Sequence, residues 1–250
     1  MSKQILYLGD TALKEAASYL AGIMDHFSIT FEYLPSDARF PAGLLEEDHR
    51  AIIISDYPAK NFSKDAIRQL ANKVEQGTGL LMIGGWESFT GLGGDYGATA
   101  AGDALPVELM PEDDRVNCAQ PCLVEKMRDH PIVAQLPFQD FVPGIGGYNR
   151  VCTRPGALEI LSSRRFAVRH GADGFLFEPA QSADPLLVVG SFGKGRTAAF
   201  TSDAAPHWVG GLVDWGDSRV NACGEGANPV EVGNWYARLF GQMIRWVAQL

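Results

Sequence analysis

Two short apolar runs, separated by an amphipathic segment, constrain the fold more than any other feature of this sequence. Residues 51–54 and 80–83 contain no polar side chain, which is typical of strands buried on both faces of a parallel sheet. Four apolar residues between them recur at helical spacing: Ile67, Leu70, Ala71 and Val74. Ser63 is a candidate N-cap for this helix, and Gly77 would end it. Strands that alternate with amphipathic helices predict a doubly wound parallel sheet.

The two ends of the chain continue this pattern. Residues 4–8 predict a strand, and the apolar stripe that follows predicts a helix with Thr11 as its N-cap. Near the other end, the runs 186–191 and 196–201 flank a glycine-containing turn and predict a β-hairpin. Residues 228–231 read Asn-Pro-Val-Glu, which predicts the start of a last helix. We therefore expect a mostly parallel sheet with an antiparallel late hairpin.

The chain of 250 residues is of a length that favours one domain. From about residue 90 to 185 the pattern loosens into Gly, Pro and Asp with short apolar pieces. Five of these pieces predict short strands: 107–110, 122–125, 157–162, 166–170 and 174–178. We interpret this region as a loop-rich elaboration of a single domain, 1–250, with antiparallel edge strands.

Charge and cysteine content exclude several classes of function. Thirty acidic residues against 21 basic ones give a net charge of −9, which does not suit nucleic acid or an anionic membrane surface. The apolar runs are too short to cross a bilayer, and no signal-peptide core follows Met1, so we expect a cytoplasmic protein. Four cysteines do not make a disulfide framework, and Cys118, Cys122 and His130 form too loose a set to predict zinc. We predict no metal and no cofactor.

Two polar segments follow predicted strands directly and are the candidates for a site. They are residues 84–91 and 201–208, and ligands of open α/β sheets bind in the crevice beyond the carboxyl ends of strands. We expect the turn at Gly9 and Asp10 to open onto the same rim. Glycines there would let a ligand approach backbone amides. The predicted ligand-binding residues are Gly84, Gly85, Trp86, Glu87 and Ser202.

The order of short motifs along the chain resembles a known family. They are Gly-Gly-x-x-Ser-Phe-x-Gly at 84–91, Leu-Pro-Val at 105–107, His-Pro-Ile at 130–132, Gly-Lys-Gly-Arg at 193–196, Phe-Thr-Ser-Asp at 200–203 and Pro-His-Trp at 206–208. This series is similar to an uncharacterised branch of the class I glutamine amidotransferase-like proteins, and its segment 193–208 is the most specific part. The resemblance implies a flavodoxin-like three-layer sandwich. It does not imply glutaminase activity.

The sequence departs from that family at its catalytic positions. Class I amidotransferases carry a nucleophilic cysteine in a turn between a strand and a helix, where its thiol pKa is lowered. By spacing, Trp86 or Glu87 occupies that position here. The family's His-Pro-Glu is replaced by Ser202 and Asp203, with His207 four residues further on. We therefore predict a protein with the fold but without glutaminase activity.

Two functions stay open at this point. In the first, the vestigial crevice binds a small polar molecule or a partner protein. In the second, the chain is a hydrolase of an amide, ester or sugar derivative, with Ser88 as nucleophile, His207 as base and Asp203 as the third member of the triad. The structural alternative is that Ser88 caps backbone amides and Asp203 ties down a loop. The sequence leaves open whether the chain is an enzyme and whether it forms homo-oligomers.

Overall fold

A ten-stranded mixed sheet forms the centre of the molecule in the computed structural model, which describes residues 3–41 and 43–250, without the side chain of Pro121. The strands are β1 Ile5–Gly9, β2 Phe31–Leu34, β3 Ala51–Ser55, β4 Gly79–Ile83, β5 Val107–Leu109, β6 Arg115–Lys126, β7 Gly144–Asn149, β8 Val151–Thr153, β9 Leu158–Gly171, β10 Gly174–Pro179, β11 Asp184–Phe192, β12 Gly195–Phe200, β13 Arg219–Ala222 and β14 Val230–Gly233. The α-helices are α1 Ser18–His26, α2 Lys64–Gln76, α3 Ala100–Asp103, α4 Pro206–Val209 and α5 Asn234–Ala248.

The parallel strands occupy one half of the sheet and the antiparallel strands occupy the other. It runs β2-β1-β3-β4-β12-β11-β9-β6-β7, with β10 paired to β9. Strands β2, β1, β3, β4 and β12 are mutually parallel, and every later pair is antiparallel. The late hairpin β11–β12 is antiparallel, as predicted. Antiparallel pairing then continues into the region predicted to be loop-rich, where β6 and β9 are longer than the short pieces expected from the sequence.

Helices cover both faces of the sheet, so β1, β3 and β4 are buried at every residue. Ile5 and Tyr7 on β1 pack into the layer that holds α1 and α5, whereas Leu6 and Leu8 pack into the layer that holds α2. The predicted N-cap of α2 is confirmed, because the Ser63 hydroxyl accepts a hydrogen bond from the amide of residue 66. This mixed architecture fits an α/β sandwich. Among the described residues, no helix combines the length and apolar character that crossing a membrane requires.

Two predicted helix starts are wrong. Thr11 is not an N-cap: its φ is +47°, its amide donates to the Ser36 hydroxyl at 3.0 Å, and α1 begins only at Ser18. Residues 230–233 do not open the last helix, because they pair with β13 as β14 and bury two valines. The first difference matters for function, since it leaves residues 10–17 as a loop over the carboxyl end of β1.

Candidate functional site

Three aspartates lie at the carboxyl ends of three parallel strands. Asp10 follows β1, Asp56 follows β3 and Asp203 lies three residues beyond β12. Because these strands run in the same direction, their carboxyl ends meet at one edge of the sheet. The aspartates line a cleft there of about 370 Å³. The residues that line it are Asp10, Thr11, Ala16, Ser36, Asp56, Trp86, Glu87, Leu92, Asp203 and His207.

Burial changes the ionisation of all three carboxyl groups. Asp10 and Asp203 are each 5% exposed, and loss of hydration raises the pKa of each to about 7. Burial also raises the pKa of Asp56 to about 7. Electrostatic repulsion between the carboxylates raises each pKa further. The charge of Asp203 raises the pKa of Asp10, that of Asp10 raises the pKa of Asp56, and that of Asp56 raises the pKa of Asp203. Buried carboxyls with pKa values raised in this way are common at acid–base and binding sites.

The turn at Gly9 and Asp10 is held by two tyrosines of the parallel strands, the buried Tyr7 and the half-buried Tyr33. The Tyr7 hydroxyl donates to its Oδ2 at 2.5 Å, and the Tyr33 hydroxyl donates to the carbonyl of Gly9 at 2.8 Å. The φ of Asp10 is +50°, in the left-handed region that Asp tolerates better than most residues. This conformation turns the chain sharply at the strand end and keeps the carboxyl over the sheet edge.

Asp56 is locked between the turns that follow β3 and β4. Its Oδ1 accepts a hydrogen bond from the amide of Glu87 at 2.7 Å, and its own amide donates to the Ser88 hydroxyl at 2.9 Å. Its φ is +48°. Gly85 packs directly against the carboxylate, since a Cβ on that glycine would lie 2.2 Å from Asp56 Oδ1. The orientation of Asp56 thus depends on the residues of the neighbouring turn.

Asp203 stabilises the loop that carries it, in addition to lining the cleft. Its Oδ1 accepts a hydrogen bond from the amide of Ala205 at 2.9 Å, just before α4. The buried Tyr236 of α5 donates its hydroxyl to the carbonyl of Ala204. These bonds fix the loop that carries both Asp203 and His207.

The amides of the Gly84–Gly85 turn already have protein partners. Gly84 donates to the carbonyls of Phe200 at 2.8 Å and Ser202 at 3.0 Å, and Gly85 donates to Asn149 Oδ1 at 2.9 Å. A Cβ at Gly84 would lie 2.1 Å from the carbonyl oxygen of Thr201. The glycines therefore permit close packing of strands, and the structure gives no free amide there to a ligand.

A buried polar pair that the sequence did not single out supports this turn. Asn149 Nδ2 donates to the carbonyl of Gly85 at 3.1 Å and to Asp114 Oδ1 at 2.7 Å. Asp114 also accepts from the amides of Thr90 and Gly91, each at 3.0 Å. Asn149 is fully buried and Asp114 is 3% exposed. No local signal marks either residue, because Asp114 directly precedes β6 and Asn149 ends β7, and both reach the turn only in the folded sheet.

The structure brings some of the predicted site residues together and separates others. Trp86, Glu87, Asp203 and His207 line the cleft. Trp86 is 53% exposed, and the guanidinium of Arg115 stacks on its ring at 4.6 Å. The two serines are fully buried and do not line the cleft. Ser202 donates its hydroxyl to the carbonyl of Gly147, and among the described residues no hydrogen bond joins Ser88 to His207.

Sequence reasoning placed the turn at Gly9 and Asp10 on this rim, but it included neither Asp10 nor Asp56 among the site residues. A signal for both was present. Each aspartate directly follows a fully buried, mostly apolar strand of the parallel sheet, Asp10 after β1 and Asp56 after β3. Equivalent positions on neighbouring parallel strands meet in space, so the repeated placement itself indicates a shared site.

The opposite end of the sheet holds a larger groove, of about 590 Å³, lined in part by Asp48, His49 and Lys73. Near it, Glu32, Glu47 and His49 form the only set of three candidate metal ligands within 4.8 Å in the part of the chain that the structure describes. The three aspartates of the cleft do not form such a set among the described residues. Among these two regions, the cleft is the stronger candidate because three buried carboxyls with shifted pKa values converge on it.

None of the four cysteines lines the cleft. All four are free thiols: Cys118 and Cys122 on β6, Cys152 on β8 and Cys223 after β13. The turn after β4, where the fold would place a nucleophilic thiol, carries Trp86 and Glu87. It runs into further turns, and the next helix, α3, begins only at Ala100.

Comparisons with solved structures place this architecture among known proteins. The cytoplasmic protein STM3548 from Salmonella typhimurium is 24% identical, with 98% of each chain covered and a TM-score of 0.74. The cytoplasmic protein STM1381 from Salmonella typhimurium LT2 is 26% identical, with 97% of this chain and 98% of that chain covered and a TM-score of 0.72. A ThuA-like protein from Bacteroides uniformis is 14% identical, over 98% and 91% of the two chains, with a TM-score of 0.56. No curated protein matches the sequence significantly.

The family comparison is more specific. A model of the GATase1-like family, described as "Putative glutamine amidotransferase", matches residues 7–221, which include the carboxyl end of every strand that carries the cleft. The chain therefore belongs to this glutamine amidotransferase-like family.

Proposed function

We propose that this chain binds a small polar molecule in the cleft at the carboxyl ends of β1, β3 and β12, and that it does not hydrolyse glutamine. The observation that carries the proposal is the convergence of three buried carboxyls, each with a pKa raised to about 7, on a cleft without a cysteine. The volume of about 370 Å³ lies within the range of small-molecule sites.

The local structure after β4 supports the absence of glutaminase activity. A catalytic thiol needs a lowered pKa, which a helix N-terminus or a nearby cation supplies. Here a turn without a thiol leads into more turns, so both the nucleophile and the helix that would activate it are missing from that position. The order β2-β1-β3-β4-β12 matches the flavodoxin-like order, which supports a class I amidotransferase-like three-layer sandwich that has lost its reaction.

The charges around the cleft narrow the class of ligand. The described residues that line it include four carboxylic acids and no lysine or arginine. An anionic ligand such as a phosphate or a carboxylate would be repelled there. Carboxyls that are partly protonated near neutral pH both donate and accept hydrogen bonds, which suits hydroxyl and amino groups. We infer that the ligand is a neutral or cationic molecule rich in such groups, with the Trp86 ring beside it.

The alternative of a Ser88–His207–Asp203 hydrolase has less support. Ser88 is fully buried, and its hydroxyl is occupied by the amide of Asp56 at 2.9 Å. A nucleophile needs an accessible oxygen and a base within hydrogen-bond reach. Asp203 and His207 do line the cleft, and they are better explained as binding groups.

A cytoplasmic location is also part of the proposal. Both Salmonella proteins with the same fold are described as cytoplasmic, and all four cysteines of this chain are free thiols. Free thiols are typical of proteins in a reducing compartment.

A melting-temperature screen with matched variants tests the binding proposal. The panel pairs neutral with charged compounds of similar size: glucose, glucosamine, glucose 6-phosphate and gluconate, with polyols and small amines. We expect neutral or amino compounds to raise the Tm of the wild type, and Asp56→Asn and Asp203→Asn to reduce that shift. Asp48→Asn is the control, because its carboxylate is fully exposed outside the cleft. Stabilisation by the anionic compounds alone, or an equal shift in Asp203→Asn, would contradict the proposal.

Glutamine hydrolysis is tested directly by ammonia release. We expect the purified protein to release no more ammonia from glutamine than a blank without enzyme. Release that thiol alkylation abolishes would show that one of the four cysteines acts as a nucleophile after all.

A further inference from the structure

A two-stranded arm extends beyond the sheet at the hairpin β9–β10. Residues 158–165 of β9 pair with β11 and β6, whereas residues 166–171 pair with β10. We call residues 166–179 the arm. In the described part of the chain, β10 pairs with β9 and with no other strand, so its outer edge carries unpaired amide and carbonyl groups.

The arm is amphipathic, and its apolar face is uncovered. Residues that lie directly opposite each other in an antiparallel pair share a face. The pairs on one face are Phe175–His170, Phe177–Val168 and Pro179–Phe166, and those on the other are Leu176–Arg169 and Glu178–Ala167. Phe175 is 68% exposed, Leu176 56% and Phe177 57%. Three consecutive large apolar side chains are thus exposed on an edge strand.

Such an arm is incomplete by itself. A two-stranded hairpin is marginally stable in water, and three or more strands with an apolar face are needed for independent stability. An exposed apolar edge strand is also a template for pairing with another chain. A further strand added to β10 would pair the open edge and would place apolar side chains beside those of β10 on the same face.

We propose that the arms of two copies of this chain pair through β10, antiparallel about a two-fold axis, to form a four-stranded sheet. A strand pairs with itself in this way only if its sequence is self-complementary. With Leu176 opposite Leu176 of the second copy, Phe175 lies opposite Phe177 of that copy. Glu178, which is the charged residue of β10, then lies opposite Gly174 of the second copy, so that like charges are not juxtaposed.

The charge distribution favours the arm over the body as the contact between copies. The chain has a net charge of −9, so two bodies repel each other. On the arm, Arg169 pairs with Glu178 at 3.1 Å, which leaves Asp173 as the one acidic side chain there without a cationic partner among the described residues. The arm is therefore a nearly neutral, apolar projection from an acidic protein. A second copy offers the same complementary strand, which an unrelated partner would have to supply by chance.

Sedimentation velocity of the full chain tests the proposal. We expect a concentration-dependent dimer at up to about 100 µM, because a single strand pair is a small interface with an affinity expected near the micromolar range. The double variant Phe175→Asp/Phe177→Asp should be monomeric, with its Tm little changed because both side chains lie outside the core. The control Met127→Asp replaces another exposed apolar residue, 50% exposed and outside both the arm and the cleft, and should still dimerise.

Cross-linking tests the register. In a Cys152→Ser/Cys223→Ser background, which removes the two exposed thiols, we expect Leu176→Cys to form an intermolecular disulfide on mild oxidation. Ala172→Cys at the tip of the arm should not, because the two tips point away from each other in an antiparallel pair.

A wild type that stays monomeric would overturn the proposal and point to a different protein as the partner of the arm. A dimer that persists in Phe175→Asp/Phe177→Asp would place the interface elsewhere.

Discussion

The hydroxyl of Ser88 accepts a hydrogen bond from the backbone amide of Asp56 at 2.9 Å, and this bond joins the turn after β4 to the turn after β3. Ser88 is fully buried, and Asp56 is one of the three carboxyls that line the cleft. The serine therefore positions a cleft residue through its backbone. The same residue type that suggested a nucleophile in the sequence acts in the structure as a link between two loops.

Replacing Ser88 by Ala should lower the free energy of unfolding by about 1–3 kcal/mol, because the amide of Asp56 loses its partner in a buried setting. Urea denaturation followed by circular dichroism measures the loss. The control is Ser182→Ala at an exposed position, which should change stability by less than about 0.5 kcal/mol. Equal stability of the two variants would argue against a structural role for Ser88.

Stability should depend on pH through Asp10. Its pKa is raised by burial to about 7, whereas the unfolded chain ionises near pH 4. Between these values the unfolded state releases a proton that the folded state keeps, so the free energy of unfolding falls as the pH rises from about 4 to 7. Asp10→Asn removes this loss. As the pH rises from about 4 to about 8, the free energy of unfolding of Asp10→Asn should therefore increase relative to that of the wild type by on the order of 1–3 kcal/mol.

Urea denaturation at several pH values measures this difference. The Asn side chain can still accept the hydrogen bond from Tyr7, so the comparison isolates the charge. Asp48→Asn is the control, because it makes the same substitution on a fully exposed side chain outside the cleft. A pH-independent difference between wild type and Asp10→Asn would mean that Asp10 titrates in the folded protein as it does in water.

The parallel half of the sheet could be predicted from the sequence for two reasons: its strands are apolar runs without alternation, and an amphipathic helix separates them. The apolar runs 51–54 and 80–83 lie within β3 and β4 and leave out one residue of each, since apolar runs without alternation leave few other structures available. The predicted start of α5 was wrong because residues 228–231, Asn-Pro-Val-Glu, have the local sequence of a helix N-terminus. In the fold, Val230 and Val232 are buried by pairing with β13, and this tertiary contact outweighs the local signal.

The position of the cleft could be predicted from the sequence, but the full set of residues that line it could not. Motifs that follow apolar strands gave its place, and Trp86, Glu87, Asp203 and His207 do line the cleft. Which polar side chain faces the cleft and which faces the core depends on turn geometry, such as the positive φ of Asp10 and Asp56. Neither angle can be inferred from neighbouring residues. The contact of Asn149 with Gly85 spans 64 positions and has no local signature.

Asn149 should be among the most sensitive polar positions in the protein. Its side chain is fully buried and makes three hydrogen bonds, two to Gly85 and one to Asp114. Asn149→Ala leaves a buried amide, a carbonyl and a carboxylate oxygen short of a partner, so we expect a loss of about 2–4 kcal/mol in the free energy of unfolding. Asn221→Ala, on an exposed position of β13, is the control and should cost far less. Similar losses in the two variants would show that the network contributes little.

Substitution of Gly85 by Ala tests whether the packing of one turn controls the cleft. The added Cβ would lie 2.2 Å from Asp56 Oδ1 and 2.3 Å from Oδ2, so the carboxylate must move. We expect a loss of about 1–3 kcal/mol in stability, as for other overpacked sites, together with a smaller ligand-induced Tm shift for any compound that stabilises the wild type. Gly97→Ala is the matched control, because its Cβ would meet no atom within 4 Å. Since Gly85 itself exposes no free amide to the cleft, reduced binding in Gly85→Ala but not in Gly97→Ala would place the effect on Asp56. If Gly85→Ala binds as the wild type does, Asp56 does not contact the ligand.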